Sequence, residues 1–268
     1  MRLLRKPLVR MFLIGAVASI IGVALGLLID WFPDPASTAA KDIDLLWDVL
    51  VAVSVPVFVL VMTVAIYSVV RFRVRPGDPE RDGVPIHGST GLEIVWVAVP
   101  FLIVAVLAVY AWIVLDDIEE PRPNPLKVEV KGQQFAWSFR YPGPGGKQVT
   151  SNQLVLPVDR PAEFKIRASD VIHSFWVPAF RIKQDAVPGI ITSARVTPTR
   201  EGAYDVVCAE LCGIGHATMR QPARVVGKEQ FAAWIERGGR GSPTVPGAGR
   251  IEGARAPGTP RAAVGSDG

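Results

Sequence analysis

Cys208-Ala-Glu-Leu-Cys212-Gly-Ile-Gly-His216-Ala-Thr-Met219 places two thiols, an imidazole and a thioether within twelve residues. These are the only two cysteines of the chain, and His216 is one of three histidines. Thiolate, imidazole and thioether form a soft donor set, which suits copper better than magnesium or calcium. Other readings compete with copper. Cysteines four positions apart can close a disulfide in an oxidising compartment or share a zinc ion, and a His and a Met beside them can be coincidence. A disulfide needs neither His216 nor Met219, and a structural zinc site has no use for a thioether. The combined C-x3-C, C-x3-H and H-x2-M spacings favour copper in an electron-transfer role. His173 can complete the donor set from an upstream loop.

Outward from this stretch, composition sets the context. The chain has 268 residues, 49% of them hydrophobic, with mean hydropathy +0.30, which is too apolar for an ordinary soluble protein. The excess is local. Residues 11–29, 49–70 and 94–115 contain no charged side chain, and each run is near the roughly 20 residues a helix needs to cross a bilayer. Pro56 and Pro100 fall inside two of them, as membrane helices tolerate. Arg2, Arg5, Lys6 and Arg10 precede the first run, and Arg71, Arg73, Arg75 and Arg81 follow the second. Asp34, Asp42, Asp44 and Asp48 lie between the first two runs, and Asp116, Asp117, Glu119 and Glu120 follow the third. The positive-inside rule then puts the N-terminus and the 71–92 turn in the cytoplasm and everything after about residue 116 outside. The net charge of +4 reflects this topology; no basic stripe with interleaved aromatics points to nucleic acid. The first run has two readings, a third membrane helix or a secretory signal with Ser37-Thr38-Ala39 as a small-residue cleavage site, and the balance leans to the signal-like one. Both leave a two-helix hairpin over residues 45–115.

The segment from about 125 to 227 reads as all-β. Residues 127–130 alternate, and so do 134–141, with Phe135, Trp137, Phe139 and Tyr141 on one face. Short apolar runs follow at 153–156, 163–167, 174–177, 190–196, 203–207 and 223–226, most separated by Pro, Gly, Asp or Asn. That spacing predicts a sandwich or Greek-key barrel, with the cysteine loop between the last two strands and His173 at the start of an earlier one. Residues 228–237 predict a short amphipathic helix through Phe231, Ala232, Trp234 and Ile235. The Gly-, Pro-, Ala- and Arg-rich stretch 239–268 predicts disorder. The expected divisions are residues 1–40 as the signal-like or transmembrane segment, 41–120 as the hairpin, 121–237 as the metal domain and 238–268 as the tail.

A membrane hairpin followed by D-V-I-H-S-F-W-V-P (170–178), K-Q-D-A-V-P-G (183–189) and C-A-E-L-C-G-I-G-H-A-T-M (208–219) resembles subunit II of cytochrome c oxidase over about residues 41 to 237. The resemblance implies a cupredoxin fold with a dinuclear copper A centre. Cys208 and Cys212 would bridge both ions, His173 and His216 would each ligate one, and Met219 and the Glu210 carbonyl would be weak ligands. It implies electrons taken from cytochrome c and passed to haem in subunit I, where oxygen is reduced and protons are pumped. Subunits I and III would be partners in the cell membrane, with the copper domain on the outer or periplasmic side. By the same resemblance the Glu210 side chain would help bind magnesium at the subunit I interface, and Glu93 would stand at the mouth of a proton pathway. Asp170 and Asp185 would contribute to an acidic surface that docks cytochrome c. Where the family reads Q-W-Y-W, this chain reads Gln134-Phe135-Ala136-Trp137, so Phe135 replaces the tryptophan that admits electrons, and Phe135 and Trp137 are the candidates for that role. The chain has no C-x2-C-H, hence no covalently attached haem, and it lacks the histidines for haem and copper B.

Two other functions use similar parts. A quinol oxidase subunit of the same fold lacks the copper ligands, whereas all six positions are kept here. A membrane-anchored copper chaperone of the thioredoxin type also uses C-x3-C with a distant histidine, but places the cysteines early in an α/β domain.

Overall fold

All three apolar runs are helical in the computed structural model, which describes residues 7–74, 76–77, 85 and 87–245. The helices are α1 (Pro7–Leu28), α2 (Thr38–Phe72) and α3 (Thr90–Glu119), each longer than the uncharged run it covers; only Ile29 of the first run falls past its helix. All three are long and apolar enough to cross a membrane. Gly22 and Gly26 of α1 meet Val55 and Val51 of α2 so closely that a Cβ at either glycine would fall 2.8 or 2.7 Å from a valine methyl. Small residues four apart are a common way for membrane helices to approach. Arg2, Arg5, Lys6, Arg75, Arg81 and the tail beyond Val245 lie outside the described residues.

Ten strands follow. They are β1 (Leu126–Gln133), β2 (Ala136–Pro142), β3 (Gln148–Ser151), β4 (Leu154–Pro157), β5 (Ala162–Ala168), β6 (His173–Val177), β7 (Ile182–Ala186), β8 (Thr192–Val196), β9 (Gly202–Cys208) and β10 (Arg220–Val226). They form two five-stranded sheets, ordered β3-β2-β1-β5-β8 and β4-β10-β9-β6-β7. The β1–β5 and β4–β10 pairs are parallel. Thr192 Oγ1 donates to the Asp185 carbonyl at 2.6 Å, tying the β8 edge of one sheet to β7 of the other. The expected all-β cupredoxin sandwich is thus present, with corrections of detail. β3 and β7 fall on stretches with no apolar run. Ile190 and Ile191 precede β8 and are exposed rather than paired. The strand expected from 134 starts at Ala136, so Gln134 and Phe135 form the β1–β2 turn.

The core between the sheets is aromatic. Phe175 lies centrally, with ring centroids of Trp137 at 5.6 Å, Phe164 at 5.3 Å and Phe139 at 6.3 Å. The edge-to-face and tilted angles are the favourable ones for such rings. A final helix, α4 (Lys228–Glu236), buries Phe231 and Trp234, with Trp234 edge-on to Tyr141 at 5.2 Å. Of the four residues expected on its apolar face, Ala232 is exposed, and Ala233 turns partly inward in its place. The stretch after α4 is ordered further than its composition predicts. The Gly241 carbonyl accepts from Gln153 Nε2 at 2.7 Å and Trp234 Nε1 at 3.1 Å, and Val245 is buried.

The chain divides into a helical unit, ending at Trp31 and resuming over Asp42–Asp117, and a β unit that takes Phe32–Lys41 together with everything from Ile118 onward. The boundary expected at residue 40 therefore falls inside a strap that is part of the β unit. Ala36 is fully buried; its N–H donates to the Ala179 carbonyl at 2.9 Å, and its carbonyl accepts from Thr199 N–H at 3.0 Å. Thr38 N–H donates to Thr197 O at 3.0 Å. The Arg181 guanidinium covers the Phe32 ring at 4.7 Å and donates to Pro33 O at 2.8 Å. Ser37 caps α2. Its buried hydroxyl accepts from Ala40 N–H at 3.2 Å and donates to Phe180 O at 2.9 Å. Ser37→Ala removes both bonds at once and is expected to cost about 1 kcal/mol, the usual worth of such a cap. Denaturant unfolding of the full chain checks this; wild-type stability would mean the hydroxyl does not hold the strap.

Candidate metal centre

The antiparallel pairing of β6 with β9 sets Phe175 opposite Cys208, which brings the first residue of β6, His173, beside the last residue of β9. The loop then leaves β9, turns, and returns as β10, closed by Cys208 N–H donating to the Met219 carbonyl at 3.1 Å. Ala209 N–H donates to Ser174 O at 3.0 Å and extends the β6–β9 contact by one bond. A hairpin end and a strand start therefore meet at one tip of the sandwich.

Three side chains and one carbonyl gather there around the two cysteine sulfurs. Cys208 Sγ lies 3.9 Å from Cys212 Sγ, so the thiols are free and not joined. His173 Nδ1 is 3.9 Å from Cys208 Sγ, and His216 Nδ1 is 3.7 Å from Cys212 Sγ, so each thiol has its own imidazole. Met219 Sδ is 3.7 Å from Cys212 Sγ, and the Glu210 carbonyl is 3.3 Å from Cys208 Sγ. Ligands bound at about 2.3 Å through sulfur and about 2.0 Å through nitrogen stand roughly 3.5–4 Å apart when the angle at the ion is tetrahedral to trigonal. The observed separations of 3.7–3.9 Å fit that requirement. His173 and Met219 are fully buried and both cysteines nearly so, which makes the cluster a water-poor set of soft donors. Burial, then the neighbouring Cys208 sulfur, pushes the Cys212 thiol up to about 11. A cation between the sulfurs removes that penalty, because thiolate is the form a metal binds.

His173 is fixed from behind. Its Nε2 meets Asp170 Oδ1 at 2.8 Å, and the other Asp170 oxygen accepts from Gln134 N–H at 2.7 Å. Burial raises the Asp170 pKa, but the Gln134 and Val171 N–H groups and the His173 ring outweigh it and hold the carboxyl low, at about 2. The ionised carboxylate keeps the proton on Nε2 and leaves the Nδ1 lone pair facing Cys208. The resemblance implies only a docking role for Asp170; the D-x2-H spacing is the signal for its contact with His173. Gln134 was missed altogether as a contact of the site.

The remaining candidates fall elsewhere. Trp137 is fully buried, edge-on to His173 at a centroid distance of 5.9 Å, and so is a core residue next to the site rather than a surface contact. Phe135 is half-buried and lies on the loop; a Cβ at Gly215 would come within 2.5 Å of its ring, so that position holds the ring only as glycine. The Glu210 side chain is exposed beside the site, and Asp185 is exposed on β7 opposite Ser174. Glu93 is exposed in the first turn of α3.

A two-sheet sandwich with buried thiols and imidazoles at its tip, in a chain with membrane-length helices, defines a membrane-anchored cupredoxin-type protein with a candidate soft-metal centre. Residues 23–114 match the family model for the cytochrome c oxidase subunit II transmembrane domain, and residues 147–226 the model for its periplasmic domain. The chain is 33% identical over 270 residues to cytochrome c oxidase subunit 2 of Synechocystis, covering 83% of this chain and 80% of that one. It is 31% identical over 249 residues to the same subunit of Cereibacter sphaeroides, covering 78% and 80%. A solved periplasmic domain of subunit II of cytochrome oxidase from Bradyrhizobium japonicum is 32% identical, covering 44% of this chain and 96% of that one, with a TM-score of 0.41. The chain belongs to the cytochrome c oxidase subunit II family, and so to the membrane oxidoreductase of which that subunit is part.

Proposed function

We propose that this chain accepts electrons from cytochrome c at a dinuclear copper A centre and passes them to haem in subunit I of the oxidase. Cys208, Cys212, His173, His216, Met219 and the Glu210 carbonyl would hold the copper. The observation that carries this reading is two unjoined, buried thiols 3.9 Å apart, each with its own imidazole. When bound, a copper pair supplies a one-electron carrier whose charge is shared between two ions. The chain's part is to hold the donors still. His173 is locked by Asp170, Met219 by burial, and the loop by its closure onto β10, so little rearrangement accompanies a change of charge.

Leu211 and Ile214 are 79% and 102% exposed on the loop, an apolar surface that a partner subunit would cover. The partners would be subunits I and III, with the Glu210 side chain at a magnesium site on the subunit I face and Glu93 at a proton pathway. The flanking charges support an outer, periplasmic position for the β unit in the cell membrane. Phe135, lying on the metal loop, is better placed than Trp137 as the point where electrons arrive. The quinol oxidase reading is disfavoured by the intact donor set, and the thioredoxin-type chaperone reading by the all-β topology.

The test is to load the purified full chain in detergent with copper, count the metal, and record its paramagnetic spectrum. About two copper ions per chain with one electron spread over both nuclei is the expected result. A single blue copper, or no uptake, overturns the proposal.

A further inference from the structure

We infer that Gln134 is a positioning residue that locks the two halves of the metal site to each other. The ligands come from two separate segments, His173 at the start of β6 and the 208–219 loop. On the near side the halves are joined by strand pairing, Phe175 with Cys208, and by the Ala209–Ser174 bond. That pairing ends before Cys212, where the loop has turned away from β6. At that point Gln134 reaches in from the β1–β2 turn of the other sheet. Its Nε2 donates to the Cys212 carbonyl at 2.6 Å, and its backbone N–H donates to Asp170 Oδ2 at 2.7 Å. Asp170 Oδ1 in turn holds His173 Nε2 at 2.8 Å.

One residue thus grips the backbone of one ligand directly and the ring of another through a carboxylate. The connection runs Cys212 carbonyl, Gln134, Asp170, His173, and it opposes the Cys208 side of the site. The acceptor at Cys212 is a carbonyl, so only the amide nitrogen of Gln134 can face it. The bond therefore depends on donor chemistry as well as shape. Groups that orient metal ligands are worth about 10–100-fold in metal affinity.

The inference rests on the copper reading in one of its two readouts only. In the metal-free full chain in detergent, Gln134→Ala and Gln134→Glu are expected to let a maleimide label the thiols several-fold faster, because the far side of the loop is released. In the copper-loaded chain, both variants are expected to surrender copper to a chelator about tenfold faster than wild type, with an altered paramagnetic spectrum and an unchanged circular dichroism spectrum. Glu keeps the shape of Gln but cannot donate, so a packing role predicts that Gln134→Glu behaves as wild type. A Gln134→Glu chain that matches wild type in either readout, or wild-type labelling in Gln134→Ala, overturns the inference. If the wild-type chain takes up no copper, the copper reading fails, and the labelling experiment decides this one alone.

Discussion

Cys208→Ala and Cys212→Ala are each expected to convert the proposed two-copper centre into a one-copper centre, whereas Met219→Leu keeps both ions. Removing one sulfur leaves one thiolate, two imidazoles and a thioether, the donor set of a mononuclear blue site. Copper per chain should fall from about two to about one, and the paramagnetic spectrum should change to that of an electron on a single nucleus. Met219 is fully buried and comparable in volume to Leu, so its replacement removes a weak donor without opening a cavity. The expected effect there is a raised reduction potential at unchanged copper content, since a weak sulfur ligand tunes rather than holds the metal. Metal analysis with paramagnetic spectroscopy on the full chain separates these outcomes. A two-copper, shared-electron spectrum in either alanine variant would remove the bridging role from the thiols.

Gly132→Val is expected to be the most damaging substitution outside the ligands. Gly132 pairs with Trp137 across the β1–β2 hairpin and is buried. A Cβ there would sit 3.0 Å from Trp137 Cζ3 and 3.1 and 3.3 Å from two carbons of the His173 ring. Trp137 has no room to retreat, being fully buried against Phe175. His173 is as fully buried, so the added Cβ strains both rings and threatens the 3.9 Å approach of Nδ1 to Cys208. Gly132→Ala should cost about 1–3 kcal/mol as an overpacked core site, and Val more. Unfolding of the metal-free chain measures the strain, and copper retention measures the displaced imidazole. Wild-type values in both would mean the rings are not held by that glycine.

What the sequence disclosed depended on side-chain chemistry, and what it concealed depended on backbone bonds. The ligand loop was legible because its thiols, His216 and Met219 lie within one hairpin end, where spacing along the chain becomes spacing in space. The period of two in 134–141 correctly set Trp137, Phe139 and Tyr141 on one buried face. It misled at Phe135, where the chain turns over the loop instead of continuing as a strand. β7 reads Ile-Lys-Gln-Asp-Ala and was missed because an edge strand carries charge outward. Residues 239–245 read as tail because the Gly241 carbonyl that pins them has no side-chain signature. Asp170 was visible as a residue but not as the His173 partner, since that depends on the turn before β6. Ser37 and Ala39 of the Ser37-Thr38-Ala39 triplet, small as a peptidase prefers, are both buried in the strap.

The buried strap constrains how the chain is made. Phe32–Lys41 is synthesised early, yet one of its bonds, from Ser37 to Phe180, spans 143 residues. Two further anchors, Thr197 and Thr199, emerge later still. The early segment must wait, unpaired, until two further apolar helices and most of the sandwich have left the ribosome. The β unit therefore closes only after Thr199 has emerged, and loss of the strap would leave it with an open seam.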